Sequence, residues 1–107
     1  MLAIAYHFHV LPRYRGEFQH AWRAARDSLH QALGLMSCEF NLPRERHEAF
    51  TLKLAWDSQT SFERFTRTWV GVWMLNGMGL QREAFAAPIQ TDIGEEDFRP
   101  RVGKRAA

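Results

Sequence analysis

The sequence contains little of what marks secreted or membrane proteins. Its 107 residues include one cysteine, four prolines and no long apolar run. Cys38 has no second cysteine for an intrachain disulfide, which favours a reducing compartment such as the cytoplasm. The longest apolar stretch, Trp69 to Leu75, is about a third of the roughly 20 residues that a membrane-spanning helix needs. The apolar N-terminal residues lack a basic start and contain His7 and His9, so we expect no secretion signal there. We therefore predict a cytoplasmic protein without a membrane partner.

An excess of charge of one sign is also absent. The chain carries 14 Lys and Arg residues against 12 Asp and Glu residues, which leaves a net charge of only +2. Such balanced, dispersed charge provides no strong electrostatic attraction for nucleic acid, and we predict no nucleic-acid partner. Charged residues are concentrated in residues 95–107, which we expect to be a frayed or draped tail.

Apolar and aromatic side chains are abundant. They make up 46% and 13% of the residues, well above what a disordered chain carries. The length is close to the commonest domain size, which leaves room for one core but not for two domains. We predict a single domain over residues 2–94.

The spacing of apolar residues predicts a strand followed by a helix. Over residues 2–11 the apolar side chains alternate with period two, which is typical of a strand. The residues on one side of this strand are Leu2, Ile4, Tyr6, Phe8 and Val10. After Pro12 the spacing becomes helical, with one face formed by Phe18, Trp22, Ala25, Leu29 and Leu33. Gly34 ends the predicted helix.

A hairpin, a second helical region and a last strand follow. Residues 35–42 and 48–56 predict two strands around a polar turn, and one parity carries the bulky residues Met36, Cys38, Phe40, Leu42, Phe50, Leu52, Leu54 and Trp56. Ser58 is placed to cap a helix that continues through Phe62, Phe65 and Trp69. Residues 70–80 either extend this helix or form a short third one. The last strand, residues 85–93, contains Pro88, which is tolerated best at a sheet edge.

The order βαββαβ predicts a ferredoxin-like α+β fold, with a four-stranded antiparallel sheet and the helices on one face. The bulky parity must face the helices, because burying apolar surface stabilises the chain by about 25 cal/mol per Å². The second face of the sheet is either exposed to water or in contact with another sheet.

Several short motifs resemble those of the antibiotic biosynthesis monooxygenase (ABM) superfamily. Residues 56–65, Trp-Asp-Ser-Gln-Thr-Ser-Phe-Glu-Arg-Phe, look like the family's junction between the third strand and the second helix. There a Trp is followed by Ser two residues later and by an aromatic residue four after that. Val10-Leu11-Pro12, with Phe18 six residues past the proline, resembles the family's passage from first strand to first helix. Leu33-Gly34 resembles the glycine before its second strand, and the likeness runs from about residue 2 to residue 94.

The resemblance implies a homodimer in which two sheets meet face to face and close a dimeric α+β barrel. It also implies a substrate cavity inside each subunit, between helices and sheet. Members include cofactor-independent oxygenases of aromatic polyketides, quinol-type oxygenases and haem-degrading enzymes. In the haem-degrading members an Asn, a Trp and a His form the site, and the matching positions here are Tyr6, Phe65 and Leu75. Leucine offers a haem iron no axial ligand, which argues against haem degradation.

One set of residues on the predicted apolar side suits a flat aromatic ligand: Tyr6, Phe8, Trp22, Phe65, Trp69, Trp73 and Met78. Oxygen can be activated without a cofactor when a deprotonated phenol or anthrone donates an electron to O₂, so that the protein need only bind, desolvate and deprotonate its substrate. We assign Tyr6 to hold or relay the proton and Asn76 to hydrogen-bond a carbonyl as negative charge develops. The alternative is that these aromatic residues only form the core.

Two histidines project from the other face of the first strand. His7 and His9, with Asp92 at matching parity on the last strand, permit a metal site of two imidazoles and one carboxylate. The alternative is a polar cluster at a dimer seam, which would make the interface sensitive to pH. Cys38 has no basic neighbour and falls on the apolar parity, so we expect a small core residue.

Three functions are compatible with the sequence. The first is a cofactor-independent monooxygenase acting on a quinol or anthrone-like aromatic, which needs O₂ but neither cofactor nor metal. The second is a module that binds a small molecule without turnover. The third is a dimerising domain whose interior is filled by its own side chains. We favour the first.

Overall fold

The computed structural model describes residues 1–95, which form four strands, three α-helices and two single-turn 3-10 helices. In chain order these are β1 (Leu2–Phe8), a 3-10 turn (Pro12–Tyr14), α1 (Arg15–His30), β2 (Leu35–Asn41), β3 (Phe50–Trp56), α2 (Gln59–Thr66), α3 (Trp69–Leu75), a 3-10 turn (Arg82–Ala84) and β4 (Gln90–Glu95). The strands pair antiparallel in the order β2-β3-β1-β4. The predicted ferredoxin-like α+β fold is therefore confirmed. Across residues 1–95, no helix is both long and apolar enough to cross a membrane.

The core lies between the helices and one face of the sheet. The central strands β1 and β3 alternate buried and less buried residues, with Tyr6 opposite Leu52 and Phe8 opposite Phe50. From α1, Phe18 is buried against this face. Burying each such side chain stabilises the fold by about 1.5–3 kcal/mol, which explains why the predicted parity holds on both central strands.

The edge strand β2 departs from the predicted alternation. Its pairing with β3 is irregular between Leu35 and Ser37, and an extra residue at such a bulge interrupts the alternation of sides. Met36 and Leu42 are consequently 48% and 54% exposed. The prediction that these two residues share the buried parity is wrong, because Met36 lies at the irregularity and Leu42 follows the last residue of the strand.

The first helix ends earlier than its apolar spacing predicts. α1 stops at His30, and Gly34 closes the following turn with a φ of +86°. A Cβ at Gly34 would overlap the side chain of Ser61, so both the backbone conformation and the close approach require glycine. Leu33 lies in this turn and is 71% exposed. Its predicted place on the buried helix face is wrong.

The second helical region consists of two helices, so the alternative with a short third helix is the correct one. Ser58 caps α2 as predicted, because its Oγ accepts a hydrogen bond from Ser61 N at 3.2 Å. Thr68 caps α3: its hydroxyl donates to Phe65 O at 2.7 Å and accepts from Gly71 N at 3.1 Å. The break changes the helical phase, so Trp69 is 73% exposed. The prediction that Trp69 lies on the apolar side is wrong.

The last strand is an edge strand as expected, but it begins at Gln90, after Pro88. The preceding segment hydrogen-bonds to the chain that follows β1, with Leu11 N donating to Ala84 O at 2.8 Å and Ala86 N donating to His9 O at 2.7 Å. The predicted tail, residues 95–107, lies outside the described residues apart from Glu95, and its boundary stays a prediction.

Candidate functional site

Aromatic rings cover the helix-facing side of the sheet, and we call this set the aromatic layer. Close pairs of ring centroids in it are Trp22 with Phe40 at 4.5 Å, Phe18 with Phe50 at 4.6 Å, and Trp56 with Phe65 at 5.1 Å. Such separations are typical of attractive ring contacts. The rings of the layer therefore pack against one another.

Tyr6 places a polar atom inside this apolar layer. The residue is 2% exposed, and its hydroxyl oxygen is buried without a hydrogen-bond partner among the described residues. Burial raises the pKa of Tyr6 from 10.0 to about 12, because the phenolate would lose its hydration. At neutral pH the hydroxyl is thus protonated and free to donate a hydrogen bond. Buried polar groups normally have partners, so an unpaired one calls for an explanation such as a ligand or a water molecule.

Trp56 provides a second unpaired donor in the same layer. The residue is fully buried, and its Nε1 finds no acceptor among residues 1–95. From its spacing in the sequence, Trp56 is only a motif and core residue. A buried indole N–H normally needs a partner, however, which makes Trp56 a candidate for ligand contact as well.

The structure brings together most of the predicted ligand-binding residues. Five of them belong to one buried core cluster: Tyr6, Phe8, Trp22, Phe65 and Met78. Trp73 is half-buried against this cluster, whereas the exposed Trp69 is not part of it. Met78 has a φ of +57° and is flanked by two glycines with positive φ, a conformation that an L-residue adopts at a cost.

Asn76 lies at the end of α3 and does not point into the core cluster. Its side chain is exposed, and its Nδ2 donates a hydrogen bond to Val72 O at 2.8 Å. Val72 O also accepts a hydrogen bond from Asn76 N at 3.1 Å, so the amide is a second donor to the same carbonyl in the last turn of α3. In this conformation Asn76 acts as a helix cap.

The described interior contains no obvious proton acceptor. Apart from the tyrosine and tryptophan side chains, Ser61 is the only buried polar or charged residue among those whose burial is described. Cys38 is half-buried, and burial raises the pKa of its thiol, which keeps it protonated and weakly reactive. None of the described members of the aromatic layer is an ordinary general base.

The open face of the sheet carries a separate polar cluster. His7 Nε2 lies 3.0 Å from Asp92 Oδ2, and His7 Nδ1 lies 3.3 Å from Thr51 Oγ1. Both ring nitrogens of His7 therefore have partners, and His9 is not among them. Within residues 1–95, no group of three or more His, Cys, Asp or Glu residues could hold a metal ion, which gives the predicted site with His9 no structural support.

The topology and the aromatic interior define a class of protein fold, the ferredoxin-like α+β domain seen in ABM structures. The sequence matches no protein-family model and no curated protein. Solved structures do match. One from Nitrosomonas europaea, provisionally named an antibiotic biosynthesis monooxygenase, is 14% identical, with a TM-score of 0.78 over 92% of this chain and 100% of that one.

Two further structures extend the comparison. One named an antibiotic biosynthesis monooxygenase is 8% identical, with a TM-score of 0.77 over 91% of this chain and 99% of that one. A substituted form of MhuD, with two manganese protoporphyrin IX molecules per active site, is 11% identical, with a TM-score of 0.72 over 94% of this chain and 98% of that one. The resemblance to the ABM superfamily seen in the sequence is thus confirmed at the level of the fold, which is all that such identities show.

Proposed function

We propose that the protein is a cofactor-independent monooxygenase that acts on a small quinol or anthrone-like aromatic bound between the helices and the sheet. The observation that carries this proposal is the unpaired hydroxyl of Tyr6, buried within the aromatic layer. A polar atom held there without a partner fits a ligand oxygen that completes its hydrogen bonding. The ABM-type fold supports the reaction class.

The proposed reaction needs no external reductant. A ring methylene that becomes a carbonyl loses two hydrogens and gains one oxygen atom from O₂, and the second oxygen atom leaves with those hydrogens as water. The protein's part is to hold the substrate flat between rings such as Trp22 and Phe65, to exclude water and to present the Tyr6 O–H to a substrate oxygen. Because Tyr6 stays protonated, it acts as the donor, and the substrate's own acidity supplies the anion that reacts with O₂.

The other predicted site residues have different roles in this proposal. Phe8 and Met78 border the ligand as apolar walls, and Trp73 flanks it from the half-buried margin of the cluster. Asn76 takes part only if its amide leaves Val72 O. The exposed Trp69 serves as a control position.

We further propose that the open face joins two copies of the chain into a homodimer. The small side chains of Ala3, Ala5 and Ala55 on the central strands leave the backbone approachable, and all three are only partly exposed. Lys53 on the same face has the opposite charge to Glu39 and Asp92, which suits pairing across a two-fold axis. Closing two sheets face to face would also protect their edges. The cytoplasmic location, supported by the single cysteine, belongs to the same proposal.

Binding without turnover is the second candidate function, and the absence of a buried carboxylate or imidazole from the described interior favours it. A module of this kind would use the same donors and rings but would only be stabilised by its ligand. A purely dimerising domain would show neither response.

Oxygen consumption by metal-stripped protein, measured against a panel of quinols and anthrones, separates these functions. We expect uptake above the uncatalysed rate, diminished in Tyr6→Phe and Trp73→Phe. The matched control is Trp69→Phe, which changes the exposed tryptophan on the same helix and should leave the rate unaltered. Thermal stabilisation by the same compounds without uptake would support the binding module, and no response in a folded protein would leave only the dimerising domain.

A further inference from the structure

His7 lies at the centre of a hydrogen-bonded cluster that the aromatic layer does not use. On the open face, its ring lies between Thr51 of β3 and Asp92 of β4, with contacts of 3.3 and 3.0 Å. Its side chain is 26% exposed and that of Asp92 is 62% exposed, so both are accessible to solvent when the face is uncovered. The strand register places Thr51 opposite His7 on β3, whereas on β4 Gln90 lies opposite His7 and Asp92 lies two residues beyond Gln90.

The hydrogen bonds of this cluster survive a change of protonation. In the neutral ring, Nε2–H donates to Asp92 and Nδ1 accepts from the Thr51 hydroxyl. In the charged ring, both nitrogens donate, and the Thr51 oxygen accepts instead. A proton can therefore be gained or lost without breaking the local geometry, and what changes is the charge of the face.

The charge of the open face depends on very few groups. The strands contribute His7 from β1, Glu39 from β2, Lys53 from β3 and Asp92 from β4, and His9 follows the end of β1. With both imidazoles neutral, one cation and two anions leave each face with one net negative charge. Protonation of His7 brings this charge to zero, and protonation of His9 as well makes it positive.

We propose that the interface between two copies of this chain is proton-linked through His7, with association tightest when His7 is charged and paired with Asp92. The inference rests on the proposed homodimer. Two identical faces that each carry a net negative charge repel one another, whereas two neutral faces do not. Covering the face also removes water from the His7–Asp92 pair, which strengthens the attraction within it. Since imidazoles change charge between about pH 5 and 8, the response falls in that range.

The test is the dimer dissociation constant, measured by sedimentation of the full chain between about pH 5.5 and 8. For the unmodified protein we expect it to rise about tenfold across this range, as two partly exposed ion pairs per dimer each lose a factor of about three. His7→Gln retains the hydrogen bonds but cannot be charged, so its dissociation constant should stay constant with pH. The control His20→Gln changes an exposed histidine on α1 and should keep the full response.

If circular dichroism shows that His7→Gln folds poorly, a second variant provides the test. Asp92→Asn removes the carboxylate that pairs with charged His7 and one negative charge from each face, so the weakening of its dimer from about pH 5.5 to 8 should be lost or reversed. A dimer whose dissociation constant is independent of pH, or whose response survives in a folded His7→Gln variant, would overturn the proton linkage alone. A chain that is monomeric at every pH would overturn the homodimer and this inference with it.

Discussion

On the helix-facing side of the sheet, Tyr6 and Trp56 bury polar atoms without partners, whereas on the open face His7 has partners for both ring nitrogens. The two faces therefore use polar groups differently. Unpaired buried donors cost stability, which points to a binding role for the helix side. Paired, partly exposed groups cost little stability, which suits the contact surface that we propose. Four measurements test this contrast between the two faces.

The largest loss of stability should come from removing a buried ring of the aromatic layer. Phe18 is fully buried, with ring centroids 5.0 Å from Phe8 and 4.6 Å from Phe50. Phe18→Ala should lower the free energy of unfolding by about 3–5 kcal/mol, through lost burial and the cavity that remains. Lys53→Ala, on the open face, should change it by less than about 0.5 kcal/mol. Similar losses in urea unfolding of the two variants would contradict the assignment of the core to one face.

A smaller effect should come from the contact between the helices above the aromatic layer. A Cβ at Gly71 would overlap the carbonyl oxygen of Phe65, whereas a Cβ at Gly16 would meet nothing within 4 Å. We expect Gly71→Ala to cost about 1–3 kcal/mol, because backbone must move. Gly16→Ala should instead stabilise α1 by up to about 1 kcal/mol. Thermal unfolding of both variants checks the pair, and equal midpoints would show that α3 does not pack as described.

The buried hydroxyl predicts a loss of stability at alkaline pH. The folded-state pKa of Tyr6 is raised from 10.0 to about 12, so the unfolded chain ionises first as pH increases. Stability should be unaffected below pH 10 and fall by about 1.4 kcal/mol per pH unit between these two values. Tyr6→Phe removes this contribution, so its unfolding free energy should decline less steeply over the same range. Parallel curves for the two proteins would mean that the hydroxyl is not buried.

The smallest effect belongs to the open face of an isolated subunit. Asp92→Asn removes the charge that faces His7, but the pair is partly exposed and screened by solvent. The free energy of unfolding at dilution, where the chain is monomeric, should change by less than about 1 kcal/mol. A larger loss would mean that the cluster stabilises the subunit itself, and would weaken its assignment to the contact between copies.

The predictable parts of the fold are those where the local pattern and the tertiary environment agree. The alternation in β1 and β3 and the N-cap at Ser58 are local features that the folded chain preserves. The errors lie at Leu33, Met36 and Trp69. At these positions a turn, a strand irregularity and the Thr68 cap each change which side chains face the core. Apolar spacing alone does not show this change.

The candidate site divides in the same way. Periodicity was sufficient to place Tyr6, Phe8, Trp22 and Phe65 in one interior, because a strand and a helix each bury a single face. Periodicity did not place Asn76, whose amide caps the end of α3. It also did not identify Trp56 as a candidate, because the unpaired N–H is visible only once its surroundings are known.

The order of strands and helices and the buried face of the sheet could be predicted from the amino-acid sequence, since both follow from short-range periodicity, caps and turns. Which polar atoms are left without partners, and which are paired, became visible in the folded chain. Hydrogen bonding and burial depend on residues far apart in the chain: His7 meets Thr51 and Asp92 only because β1 lies between β3 and β4.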